Sequence, residues 1–110
     1  MVAAHLGGAL PYAAGRIEAW QAAPDTSAPL LRRPFREYVR KLFVDVISYH
    51  GSAVRAAAET LGADHLMLDS DHPFGISNLD LVRTSLRDAG FSPAEQGQIT
   101  DGTAQHLFGL

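Results

Sequence analysis

Two short segments carry side chains that could do chemistry. Asp69-Ser70-Asp71-His72-Pro73-Phe74 places two carboxylates and an imidazole within four positions, and His5-Leu6-Gly7-Gly8 sets an imidazole beside two glycines that let backbone approach a ligand closely. A carboxylate can hold a divalent cation or take a proton, and a histidine gives or takes a proton near neutral pH. On spacing alone, plainer roles are open for the same residues. Asp69 or Asp71 could cap the turn ahead of Pro73, and His5 could be an ordinary exposed or hydrogen-bonded histidine.

No complete metal-ligand set closes within the chain. A cation usually needs three or more protein ligands, and there is no His-x-His and no His-Glu-x-x-His. His50, His65, His72 and His106 are scattered. His50 falls just past a strand-like run, where a loop role is the simpler reading, and His65 begins a strand, at the end away from the chemistry. The sequence contains neither a glycine-rich phosphate loop nor a Gly-x-Ser-x-Gly elbow. With no cysteine, disulfides, thiolate ligands and cysteine nucleophiles are all excluded.

The elements that must position these residues alternate regularly. Val2 to His5 reads as a strand and Arg16 to Ala22 as a short helix. The turn-rich stretch Ala23–Pro29 then leads to a second helix starting at Pro34. Leu42 to Ile47 is short, β-branched and aromatic, the composition of a buried strand. Val54, Ala57, Ala58 and Leu61 recur at helical spacing, with Gly62 where a C-cap glycine belongs. His65 to Leu68 is a third apolar run. Ser77 with Asp80 resembles a capping box ahead of a helix carrying Leu79, Val82, Leu86 and Ala89. Ser92-Pro93 with Glu95 starts another helix, and Thr103 to Leu110 reads as a terminal one with Ala104, Leu107 and Phe108 inward. Apolar strands alternating with amphipathic helices imply an α/β fold with a parallel sheet. In such folds the chemistry sits at the C-terminal strand ends, where His5 and Asp71 fall.

Composition narrows the class further. The chain has 110 residues, 46% of them apolar, and a net charge of −3 with nine Lys and Arg, so a real core is expected and an extended basic surface for nucleic acid is not. The four arginines from Arg32 to Arg40 read as a solvated helix face. The first residues do not form a secretory signal and no run reaches membrane-spanning length, so no membrane partner and a cytoplasmic location are expected.

Taken together, the two motifs carry a family likeness. The segment from His5 to Arg16 resembles the HxGGxxPyxxgRi string of the amidohydrolase-related family, the group of aminocarboxymuconate-semialdehyde decarboxylase, γ-resorcylate decarboxylase and related hydrolases. The segment from Leu61 to Phe74 is similar to that family's lGxdrvllGSDyPf string. Between them Leu42 to Asp45 resembles its yfDt strand, and Asp101 to Leu110 resembles its closing GNAxrLlgL. The match spans essentially the whole chain in order and spacing. It departs at Asp69, where the family has a small residue, at Thr103, where it has Asn, and at His106, where it has Arg.

The resemblance implies strands six to eight, with their helices, of a (β/α)8 barrel, a fold of about 250 residues. On that basis residues 1–110 are the C-terminal portion of a barrel domain, without the strands that carry most of the metal ligands. It implies Asp71 as a metal ligand, His5 as the acid/base residue, and Arg16 and Phe74 as substrate contacts. The cofactor would be a divalent metal, zinc foremost with manganese as the alternative, in a site that this chain leaves incomplete. The activity implied for the complete protein is hydrolysis or non-oxidative decarboxylation of a small carboxylated or aromatic substrate, with a homodimer as its assembly. The competing reading is a truncated, non-catalytic fragment or interaction module. Removing the other strands should also leave two unpaired sheet edges and bare an apolar face, to which Val2, Ala3, Phe43, Val46, Leu66 and Leu68 could contribute. Since only Asp71 corresponds to a ligand, the isolated chain is expected to bind no catalytic metal tightly. Calorimetric titration with zinc should find no one-to-one site of sub-micromolar affinity.

Overall fold

The computed structural model describes residues 1–24 and 31–110, so the turn-rich stretch Ala23–Pro29 lies, from residue 25 onward, outside the described residues. Three short strands, β1 (Val2–Ala3), β2 (Phe43–Asp45) and β3 (Leu66–Met67), form a parallel sheet in the order β1-β2-β3. Val2 lies opposite Phe43, Ala3 and Leu66 flank Val44, and Asp45 lies opposite Met67. The α/β expectation holds. No helix among the described residues is long and apolar enough to cross a membrane.

Six α-helices accompany the sheet. They are α1 (Leu10–Gln21), α2 (Phe35–Val39), α3 (Gly51–Leu61), α4 (Leu79–Asp88), α5 (Pro93–Gly97) and α6 (Thr103–Phe108). The first is longer than the expected Arg16–Ala22, because Pro11 opens it within the first turn. On α3 the residues at helical spacing, Val54, Ala57, Ala58 and Leu61, are buried, and Gly62 ends the helix at φ 108°. The cap of α4 is Asn78, whose side-chain oxygen accepts the Leu81 N–H at 3.0 Å. The expected cap, Ser77, instead donates its hydroxyl to the Ser70 carbonyl. At α5 the capping box is present, and the Ser92 amide and hydroxyl hold the Glu95 carboxyl below its ordinary pKa.

The core lies between the sheet and the helices. Val44, Val46, Leu66, Val54 and Val82 are fully buried in one cluster, with Ala3 and Leu68 packed against it. This corrects part of the expectation for the bared face. Strand side chains alternate, so Val46 and Leu66 face the helices rather than the opening, and Ala3 and Leu68 follow them. Val2, 48% exposed, and the half-buried Phe43 stay on the other face, where Phe43 stacks on His65 at 4.7 Å.

The sheet ends at β1 and β3, and the C-terminal segment lies beside the β3 edge. Beyond β3 the Leu68 N–H donates to the Ile99 carbonyl at 2.9 Å. Thr103, fully buried, donates its hydroxyl to the Asp64 carbonyl at 3.2 Å. Both partners are set by a π-helical turn, Gln98–Gly102, between α5 and α6. That wider turn rotates α6, so Thr103 takes the inward position and Phe108, expected inward, is 61% exposed.

Close packing of α3 on α4 depends on Gly51. A Cβ there would lie 2.8 Å from the Ala89 nitrogen and 2.9 Å from the Asp88 carbonyl carbon, both backbone atoms that cannot swing aside. Gly51→Ala should therefore destabilise the chain by about 1–3 kcal/mol through overpacking, overriding the gain of up to about 1 kcal/mol that alanine brings inside a helix. A lower urea midpoint with an unchanged slope is the expected result.

Candidate active site

All three strands end on the same side of the sheet, and each end leaves the extended conformation abruptly. After β1, His5 and Leu6 take φ 52° and 57°. After β2, Tyr49 takes 54°, and after β3, Asp71 takes 62°. Left-handed backbone at a residue with a side chain costs about 1–3 kcal/mol and concentrates at functional sites. Here four such residues gather where a parallel sheet does its chemistry.

What holds the first two ends together is Asp45, the last residue of β2. Asp45 is 8% exposed, and its carboxylate accepts the His5 backbone N–H on both oxygens, at 2.9 and 3.0 Å, and the Ile47 N–H at 3.0 Å. The His5 imidazole Nδ1 stands 4.0 Å from the same carboxylate, with the side chain 60% exposed. The backbone of His5 is thus clamped while its ring reaches outward, as a proton donor or acceptor must.

Beside His5 opens a cleft of about 370 Å³ lined by His5, Asp71, Phe74, Gly75 and Ile76. Three of the four residues expected at the site, His5, Asp71 and Phe74, therefore share one cavity. Asp71 is 7% exposed, whereas Phe74 and Ile76 are 66% and 67% exposed and form an apolar rim. The fourth, Arg16, lies exposed on α1 and does not line the cleft. Asp69 accepts the N–H of its neighbour Ser70 at 2.6 Å and stays exposed, while the His72 N–H of the turn goes to the Ser70 hydroxyl at 3.3 Å. Asp71 turns its own carbonyl to the Phe74 N–H at 3.0 Å, and its side chain lies against the Tyr49 hydroxyl beside the cleft.

Two residues singled out by no expectation complete the arrangement, Asp45 and Tyr49. A charged residue inside the apolar run Leu42–Ile47 was the available signal for Asp45, because a buried carboxylate requires donors. Tyr49 donates its hydroxyl to the Ile76 carbonyl at 2.8 Å. Burial and the neighbouring Asp71 carboxylate both disfavour its anion and raise its pKa above the usual tyrosine value. The remaining histidines stay outside. His50 precedes α3 with its Nδ1 on the Ser52 hydroxyl at 2.9 Å. His65 bonds the Leu42 carbonyl at the opposite end of the sheet.

Among the described residues, no three His, Asp or Glu side chains converge to hold a metal. The cleft offers a cation one buried carboxylate and one imidazole, part of a site and not the whole of one.

Comparison with known proteins agrees with this layout. No protein-family model matches the chain. The chain is 30% identical over 108 residues to 2-amino-3-carboxymuconate-6-semialdehyde decarboxylase of Dictyostelium discoideum, covering 97% of the chain and 30% of that protein. It is 30% identical over 81 residues to the Caenorhabditis elegans protein of the same name, covering 73% and 20%. Among solved structures, IDCase of Metarhizium anisopliae superposes with a TM-score of 0.83 at 27% identity, over 97% of this chain and 33% of that one. A dihydroxybenzoic acid decarboxylase from Polaromonas, with bound manganese and the inhibitor 2-nitroresorcinol, gives 0.83 at 26% identity over 99% and 33%. The chain thus spans about a third of the length of the relatives it matches.

The clamp predicts a stability effect separable from chemistry. Asp45→Ala removes both acceptor oxygens and leaves the His5 and Ile47 N–H groups without their partner. It should cost about 1–3 kcal/mol, the penalty of buried donors left unpaired. The exposed Asp69→Asn should stay within about 0.5 kcal/mol. Urea unfolding of the two variants side by side tests this.

Proposed function

The chain belongs to the amidohydrolase-related family of barrel decarboxylases, and from that premise we propose that it is the C-terminal portion of a divalent-metal-dependent, non-oxidative decarboxylase of small carboxylated aromatic-type acids. The observation that carries this reading is the meeting of His5, Asp71 and Phe74 in one cleft at the C-terminal strand ends. The decarboxylase names of both curated relatives favour decarboxylation over hydrolysis.

Each residue has a task that its surroundings allow. Asp71, buried and negatively charged, is the ligand this chain contributes to a cation. The other ligands would come from parts of the barrel outside these 110 residues. A bound manganese or zinc ion would supply Lewis-acid polarisation of the substrate's oxygens. Loss of carbon dioxide leaves an electron pair on the ring carbon, and a proton must replace the carboxyl group there. The outward-reaching imidazole of His5, held through its own backbone by Asp45, is the group that delivers it. Phe74 and Ile76 give the substrate an apolar wall. Arg16, exposed on α1, is suited to a substrate carboxylate offered across a homodimer interface. A second reading, a non-catalytic fragment, draws on the missing ligand trio and applies to the 110 residues in isolation.

The test uses a complete barrel protein containing this chain, assayed for carbon dioxide release from hydroxybenzoates and related acids with manganese or zinc. Asp71→Ala should abolish turnover and lower the metal content. His5→Ala should reduce kcat by about 100-fold or more, the scale of a lost general acid, with the metal retained. Equal metal loss in both variants would refute this division of roles.

A further inference from the structure

The loop after β3 carries the apolar rim of the cleft, and the bonds that shape it lie almost entirely within it. The Phe74 N–H bonds the Asp71 carbonyl at 3.0 Å, the Ser77 N–H bonds the Phe74 carbonyl at 2.9 Å, and the Ser77 hydroxyl closes back on the Ser70 carbonyl. These bonds are short-range and shape the loop locally, and from residue 71 to 78 Asp71 alone is buried. Phe74 and Ile76 are largely exposed and bury too little surface to anchor it.

Tyr49 ties this loop to another element, its hydroxyl donating to the Ile76 carbonyl at 2.8 Å and lying against the Asp71 side chain. Tyr49 comes from the segment after β2, held at φ 54°. The Asp71 side chain and the Asn78 backbone lie beside the same hydroxyl, so the phenol sits where the candidate ligand, the rim and the start of α4 meet. A rigid aromatic spacer with a hydroxyl at its tip suits a tether of this kind, because it loses little rotamer freedom for the bond it makes.

We propose that Tyr49 is the positioning residue of the substrate rim, holding Phe74 and Ile76 over the cleft by its bond to the Ile76 carbonyl. This rests on the decarboxylase reading for its substrate and on the geometry alone for the tether. Tyr49 touches no reacting atom in this role, so its loss should weaken substrate binding and spare the chemical step.

Tyr49→Phe removes the hydroxyl and keeps the ring, a change the fold should tolerate. In the complete barrel protein, KM for the carboxylated aromatic substrate should rise about three- to tenfold, the equivalent of one neutral hydrogen bond, with kcat and manganese content nearly unchanged. An unchanged KM overturns the proposal, and so does a collapse of kcat with loss of manganese, which would make Tyr49 a support of Asp71 instead. The second measurement needs no activity. In the 110-residue chain, hydrogen–deuterium exchange at the Phe74 and Ser77 amides should accelerate in Tyr49→Phe and stay unchanged in Tyr38→Phe. Unaltered exchange at both amides overturns the tether. Absence of decarboxylation by the complete protein would refute the functional reading and leave the exchange result to decide the tether.

Discussion

A single buried carboxylate organises this structure. Asp45 ends β2 inside the protein, where an ionised group survives only if donors surround it. Its donors are the backbone N–H groups of His5 and Ile47, one at the end of the neighbouring strand and one two residues ahead in its own. Satisfying the charge therefore requires β1 to stop at Ala3 and His5 to turn into a left-handed conformation. The exposed imidazole follows from that turn. The donors that make the buried Asp45 carboxylate acceptable also fix the His5 backbone beside the cleft.

The two other strand ends are arranged around the same opening by different means. Asp71 follows β3 into a self-bonded loop, and Tyr49 reaches across from the β2 side to hold it. Backbone left in sparsely populated regions at four positions is supported from elsewhere, by the α3–α4 contact at Gly51 and by a core of Val44, Val46, Leu66 and Val54 beneath the sheet. The C-terminal segment contributes by occupying the outer edge of β3, through the Ile99 carbonyl and the Thr103 hydroxyl. On the other side of the sheet β1 forms an edge with Val2 exposed.

The chain is closely specified where it packs and sparsely furnished at its candidate site. Helix caps at Asn78 and Ser92, the glycine stop at Gly62 and the buried stripe of α3 agree with one another, as they do in sequences that fold to one structure. The cleft, in contrast, presents a carboxylate and a histidine with an apolar rim and no third ligand among the described residues. That asymmetry is what a segment spanning about a third of its relatives' length should show. Its helices find partners within the segment, whereas a site at the mouth of a barrel draws residues from several strands.

The order of elements, the parallel sheet and the candidacy of His5, Asp71 and Phe74, which the fold brings to one cleft, were legible in the sequence, because apolar periodicity and the two motifs are local properties. Gly62 and the capping box at Ser92 were legible for the same reason. Other features depended on contacts between distant residues. Asp45 showed as a charge in an apolar run and as part of the strand likeness, and its role emerged with the His5 amide, 40 positions away, as its donor. Tyr49 carried no signal at all, since its partner carbonyl lies 27 residues on. Phe108 read as inward because helical spacing was counted through a turn that the fold makes π-helical. Strand parity decided that Val46 and Leu66 belong to the helix side, a choice that an apolar run leaves open and that pairing settles. The sequence by itself determined which segments are strands and helices and which side chains could do chemistry. The tertiary structure decided which of those side chains meet, because that depends on which distant donors satisfy which buried acceptors.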